Sequence, residues 1–286
     1  LPAVFAEKAG VNAVFSCPLA GNLLSFEAGS STDCLPAQAS AVLGGVKVGE
    51  AQEALACAEN VDVCAHADGS LICAHGMTAH AAFPERGRSA AVLLARAILD
   101  AGLARHEAKK ALEFIAAFGS CDGSELGIAC SDAYSGPLSV AGTLIRSENG
   151  RMTLHINARG PVSVPPQTVY EKLCRTAAQY GFTPDSHGLR KGNLVSPDHA
   201  VVHLLTRYAQ EAHGIKMEPY AMGGGTYARM FPHAIAAGFG LPKQKKPCPP
   251  GHGGGHQPDE CVSLTNLKNG IGIYAMTLMD LDRLMD

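Results

Sequence analysis

The 286-residue chain contains no apolar run as long as the roughly 18 residues that cross a bilayer as a helix. A membrane-spanning helix is therefore not expected. Charge is sparse too: 17% of the residues are charged and the formal net charge is −3, which leaves no field to draw nucleic acid or anionic lipid. The opening, Leu1 to Lys8, lacks the basic start and apolar core of a signal peptide. Leu1 stands where an initiator methionine would, so the chain is expected to be a piece of a longer one. Ten cysteines are present, but no two form a C-x-x-C pair or show zinc-finger spacing. Several lie in apolar runs such as Val61-Asp62-Val63-Cys64, where a thiol behaves as a small hydrophobe. A reduced, cytoplasmic setting is expected.

What the chain does have is a globular composition, 47% hydrophobic, and length enough for two domains. Its densest stretch is Tyr220-Ala221-Met222-Gly223-Gly224-Gly225-Thr226-Tyr227-Ala228-Arg229, followed by His256 and Glu260 in a Gly/Pro-rich loop. Three glycines let backbone N–H groups approach a ligand, and the Thr and Arg after them add a hydroxyl and a guanidinium suited to an anion.

Upstream, the spacing predicts strands over Val11–Cys17 and Leu23–Glu27, an apolar run Ala39–Leu43 and a helix Glu50–Ala58. Strands Val61–His66 and Leu71–His75 follow across an Asp68-Gly69 turn, then a helix Ala90–Leu103. Strands Leu138–Arg146 and Met152–Ala158 flank Asn149-Gly150, a strong hairpin signal, before a helix Pro166–Tyr180. Turn glycine and later proline are 15 residues apart in both hairpins (Gly69 to Pro84, Gly150 to Pro165), which suggests a duplicated strand–turn–strand–helix unit. His80 and Arg159 then fall in corresponding strand-end loops. A helix is expected over His106–Phe118, whereas residues 119–135 receive no assignment. Further on, Ser196-Pro197-Asp198 reads as a helix start running to His213. Candidate strands Lys216–Tyr220 and Ala234–Phe239 flank the glycine loop. Leu264, Leu267, Ile271, Tyr274, Leu278 and Leu281 give an amphipathic last helix.

Several of these segments resemble the zinc-dependent dipeptidases of the aminoacylase/carboxypeptidase superfamily, especially their PepV-type (Xaa-His dipeptidase) branch. The segments are Gly223-to-Arg229, His256-to-Glu260, Arg159-Gly160-Pro161, and Gly76-Met77-Thr78-Ala79-His80 with Pro84, Gly87 and Ala90. Gly29 to Pro36 resembles a further segment of the lid, with Asp33 where the family has an asparagine.

The resemblance implies a two-lobed α/β fold. Its lid, residues 1–190, consists of two pseudo-repeated α/β halves, and residues 191–286 form the C-terminal part of a zinc-peptidase catalytic domain whose N-terminal half is missing. It implies two zinc ions per intact enzyme, His256 as one ligand, and His80 as stabiliser of the oxyanion. Arg159, with Gly224, Gly225, Thr226 and Arg229, is implied to hold the substrate carboxylate, and Asp33 to help orient the substrate. The partners implied are a dipeptide substrate and, in a homodimer, a second copy. Glu27-Ala28-Gly29-Ser30 and His66-Ala67-Asp68 mimic the superfamily's E-E-x-G-S and H-x-D ligand segments, but they fall within lid strands and turns and are read as look-alikes. One ligand does not hold a catalytic zinc, so the chain alone is expected to be inactive. The competing reading is a non-catalytic substrate-binding or dimerisation module. No local signature around Cys34 or Cys261 marks a cysteine hydrolase.

Overall fold

A computed structural model describes residues 3–238, 240–241, 247–249, 253 and 259–285, with residues 284 and 285 described by backbone alone. The chain divides into two compact units, Leu1–Glu7 with Asn193–Asp286, and Lys8–Gly192. The first strand, β1 (Val4–Glu7), thus belongs with the C-terminal residues rather than with the segment that follows it.

The larger unit is built on an eight-stranded sheet. Its strands are β2 (Ala9–Pro18), β3 (Leu23–Ala28), β4 (Gln38–Gly44), β5 (Val61–His66) and β6 (Gly69–His75), joined later in the chain by three more. A short helix α1 (Val48–Ala54) precedes β5, and α2 (Ala90–Asp100) and α3 (Glu107–Ala116) follow β6. A two-residue hairpin, β7 (Ser131–Asp132) and β8 (Gly136–Pro137), leads to β9 (Ser139–Glu148) and β10 (Arg151–Gly160). Helix α4 (Pro166–Gln179) and β11 (Thr183–Arg190) complete the unit. The sheet order is β11-β2-β10-β9-β3-β4-β6-β5, antiparallel throughout.

Such a sheet can bury one face and leave the other polar. Val11, Ala13, Phe15 and Cys17 of β2 and Met152, Leu154, Ile156 and Ala158 of β10 enter the core with the inner residues of α2, α3 and α4. The alternate residues, Asn12 on β2 and His155, Asn157 and Arg159 on β10, share the opposite face. The Asn149-Gly150 hairpin is confirmed by positive φ at both residues (51° and 72°). The equal 15-residue spacing does not mark equivalent positions. Pro84 opens a 3-10 helix, Pro84–Arg86, ahead of α2, whereas Pro165 directly precedes α4. Arg159 correspondingly lies inside β10, while His80 lies beyond the end of β6.

In the smaller unit β1 is the central strand of three. It pairs antiparallel with β12 (Asn193–Leu194) and parallel with β13 (Tyr220–Met222), and Val4 also bridges Ala236. The strand expected over Lys216–Tyr220 is therefore β13, shifted toward the glycines. Helix α5 (Ala200–His213) begins later than Ser196-Pro197-Asp198 suggested. That triplet forms a turn, with the Ser196 carbonyl accepting from His199 N, and the His199 imidazole caps the helix by accepting from Val201 N. Gly214, at φ 67°, ends it as expected.

Helix α6 (Leu264–Met285) packs on α5, and Asn266, Gly270, Ile273 and Thr277 form its buried side. The apolar stripe expected to be its core face is outside that contact: Leu264, Ile271 and Leu278 are 73%, 65% and 66% exposed. No helix among the described residues is long and apolar enough to cross a membrane.

Candidate functional site

Three of the eight expected residues, Asp33, His80 and Arg159, lie in the larger unit, on the polar side of its sheet. After β6 the chain returns along the segment before β4: Leu35 N donates to Ala79 O (2.8 Å), Ala81 N to Asp33 O (2.8 Å), and Cys34 pairs with His80. This short bridge sets Asp33 beside His80, so the two motifs, 47 residues apart in the chain, become one surface. Asn157, 2% exposed, reaches the same place, its Nδ2 donating to the Thr32 carbonyl and to Asp33 Oδ1, each at 3.4 Å. Among the described residues its buried Oδ1 has no hydrogen-bond partner. Arg159 is two residues further along the same face of β10, 7% exposed and paired with Gly10 of β2. A cavity of about 250 Å³ opens on this face, lined in part by Asn12, Thr32, Asp33, Thr143 and His155.

The His80 ring is oriented by its own turn. Its Nδ1 accepts from Ala82 N at 3.1 Å, so in the neutral imidazole the proton sits on Nε2, which makes that nitrogen a donor. Gly29, at φ 74°, allows the turn into the Asp33 segment; a Cβ there would collide with the Thr143 carbonyl. Thr143 sits at a register shift between β9 and β10 and donates from Oγ1 to His155 O (3.2 Å). Burial, aided by Arg146, lowers the pKa of His155.

Residues 119–135, unassigned from sequence, supply the support for the strand end that carries Arg159. Asp132 Oδ2 accepts from the N–H and hydroxyl of Ser163, and its Oδ1 accepts from Ser135 N and Oγ and from Tyr134 N. Ser135 Oγ in turn accepts from Val162 N at 3.0 Å. Burial is the largest single influence on this carboxyl and works to raise its pKa. The converging Ser135 and Ser163 donors outweigh it and bring the pKa down to about 2.

The glycine loop lies in the smaller unit and is organised around a residue that the sequence reading passed over. Strand β13 runs parallel to β1 with Met222 opposite Glu7, so the loop departs alongside that carboxylate. Glu7 is wholly buried. Its Oε1 accepts from Thr226 N at 2.9 Å and from the Thr226 hydroxyl, and its Oε2 accepts from Arg229 Nε at 3.1 Å. Arg229 Nη2 also donates to Gly224 O at 3.1 Å. A Cβ at Gly225 would overlap the guanidinium, so the third glycine makes room for Arg229. Thr226 and Arg229, expected to hold a substrate carboxylate, thus meet an internal one. The signal for Glu7 was a lone acid in the apolar run Val4-Phe5-Ala6, since a charge in such a strand needs a counter-charge. Above β13, burial first and the Glu7 charge second raise the Tyr220 hydroxyl to about 12.

His256 lies outside the described residues. Among those described, no group of three or more His, Cys, Asp or Glu could hold a metal ion, so the donor set of a metal centre is not met by them. The two ligand look-alikes have local partners in the larger unit. Glu27 Oε1 accepts from Ser147 N at 2.8 Å across the sheet, and His66 Nδ1 accepts from Asp68 N at 3.2 Å in the β5–β6 turn.

Comparison with known proteins adds to this geometry. The family described as Peptidase family M20/M25/M40 matches residues 7–280. "Putative dipeptidase YtjP" of Bacillus subtilis (strain 168) is 29% identical over 297 residues, covering 98% of this chain and 61% of that protein. The Beta-Ala-Xaa dipeptidase of Lactobacillus delbrueckii subsp. lactis is 26% identical over 211 residues, covering 73% of this chain and 43% of that protein. The chain therefore spans less than two thirds of the length of these curated relatives. Among solved structures, human carnosine dipeptidase 1 is similar with a TM-score of 0.44 at 12% identity, covering 96% of this chain and 55% of that one.

Proposed function

The chain belongs to peptidase family M20/M25/M40, and from that premise we propose that it is the lid, residues 8–192, and part of the catalytic domain, residues 193–286 with 1–7, of a two-zinc dipeptidase. The observation that carries the reading is the convergence of Asp33, His80, Asn157 and Arg159 on the helix-free face of the larger sheet. His80 is held with Nε2 as its donor nitrogen, the form that stabilises a developing oxyanion without needing a charge. Arg159 supplies a planar fork for the substrate's carboxylate end. Asp33, steadied by the Asn157 amide, orients the substrate in place of the family's asparagine. By the same resemblance the Gly224-Gly225 backbone is a substrate contact, whereas the Thr226 N–H and hydroxyl are directed at Glu7.

His256 serves as one zinc ligand in this reading. The other ligands are not among the described residues, and no step is assigned to them. The exposed apolar stripe of α6 supports completion of the smaller unit by a further polypeptide segment, in keeping with the share of its relatives that the chain spans. The edge strands β11 and β5 are mostly exposed, which supports pairing with a second copy. The cysteine spacing, without C-x-x-C pairs, and the thiols within apolar runs support a reducing, cytoplasmic setting.

The deciding experiment assays dipeptide hydrolysis, with added zinc, by this chain and by the polypeptide read from the same gene with its upstream region. Turnover is expected from the longer protein and only background from the 286-residue chain. Zinc-dependent turnover by the chain alone, lost on changing His66 or Glu27, would make the look-alikes true ligands and overturn the reading. A longer protein without turnover would favour a non-catalytic binding module.

A further inference from the structure

A buried carboxylate is costly unless charge and hydrogen bonds compensate it. For Glu7, compensation comes from residues of a single loop: the Thr226 N–H, the Thr226 hydroxyl and the Arg229 guanidinium. The same guanidinium holds the Gly224 carbonyl and fills the space over Gly225. The loop is thus wound round an arginine whose side chain is 12% exposed and which is anchored on a carboxylate at the end of the neighbouring strand. An anion-binding loop would keep its N–H and guanidinium for a ligand. Here three of those donors are directed at Glu7.

We propose that Glu7 is the positioning residue of the Gly223–Arg229 loop. It fixes the loop's backbone for the substrate, and it takes Arg229 as counter-ion, so that Arg229 serves the loop's shape rather than the substrate's charge. The proposal rests on the dipeptidase reading for its kinetic consequence, but not for the clamp itself.

Two variants of the full-length enzyme test it. Glu7→Gln keeps the shape and an acceptor for Thr226 but removes the charge that holds Arg229. Glu7→Ala/Arg229→Met removes both members of the pair, so that no stranded charge prevents folding. Steady-state kinetics, thermal unfolding and amide hydrogen exchange at Thr226 are measured on each. The double variant is expected to keep its melting temperature near that of the parent while kcat/KM falls on the order of 100-fold, the scale of a catalytic group displaced by about an ångström. Its Thr226 amide should exchange at least about tenfold faster, having lost its acceptor. Glu7→Gln should lie between the two.

Parental kinetics in the double variant, or unchanged exchange at Thr226, would overturn the proposal. So would an unchanged or raised kcat/KM in Glu7→Gln, because that is the result expected if Arg229 binds the substrate directly. Should the parent enzyme show no turnover, the functional reading falls separately. Exchange at Thr226 then decides the clamp by itself: acceleration supports it and constancy removes it.

Discussion

The side-chain amide of Asn157 donates to the Asp33 carboxylate at 3.4 Å, across 124 residues of sequence and from a position that is 2% exposed. Asn157 suits that place because a neutral amide can sit beside a carboxylate without repulsion. In Asn157→Asp, burial and the facing charge both disfavour ionisation and raise the new carboxyl's folded pKa. A raised folded pKa means that stability is lost as pH rises from the unfolded carboxylate value, about 4, through the folded one. Asn157→Asp should therefore cost about 1–3 kcal/mol at pH 7. The deficit should shrink toward pH 4 and be partly relieved by adding Asp33→Asn. Urea unfolding at the two pH values measures this, and a deficit independent of pH would argue against the pairing.

Asp132 carries the opposite sign. Its folded pKa, about 2, lies below the usual carboxylate range, so its contribution is fully present above about 4 and disappears as pH falls toward 2. Asp132→Asn should lower stability by about 1–2 kcal/mol at pH 7, discounted for partial exposure. The difference from the parent should close on acidification. Equal unfolding midpoints at neutral pH would mean that the Ser135 and Ser163 contacts are dispensable.

Most of the larger unit was legible because its signals are local. Alternation along Val11–Cys17 and the Asn149-Gly150 turn depend on neighbours in sequence, and the strands and hairpin stand where those neighbours put them. His80 and Arg159 were singled out by motifs in the same local way, as candidates for the site. Glu7 was not, since its partners lie 219 and 222 residues later and only the parallel pairing of β1 with β13 brings them together. The start of α5 was misplaced because Ser196-Pro197 suits both a helix cap and a turn, and the His199 imidazole that decides between them is an uncommon cap. The role of Asp132 emerged only once the strands on either side of it were in place.

His80→Ala in the full-length enzyme should lower kcat by on the order of 100-fold, the usual effect of deleting one oxyanion donor. Bound metal should be unchanged. Metal loss, read by elemental analysis, would instead make His80 a ligand.

Arg159→Lys should raise KM for dipeptides by roughly 10- to 100-fold, because an ammonium cannot reproduce two parallel hydrogen bonds to a carboxylate. Arg159 is 7% exposed, so unfolding must be measured alongside the kinetics. An unchanged KM in a folded variant would remove Arg159 from the substrate site.

Helix α6 allows a test that separates its two faces. Ile273 is 4% exposed where the helix meets α5, and Asn269 Nδ2 ties that contact further by donating to Ala212 O at 3.0 Å. Ile273→Ala should lower the stability of the 286-residue chain by about 2–4 kcal/mol through lost burial and the cavity left behind. Leu264, Ile271 and Leu278 are largely exposed, so replacing all three with serine should change its stability by no more than about 1 kcal/mol. In the longer polypeptide the same triple substitution should be strongly destabilising, because there the stripe is proposed to be covered. Comparable losses from both substitutions in the short chain would show that the stripe is already packed within it. A harmless triple substitution in the long one would leave the stripe uncovered there and remove its support for a completing segment.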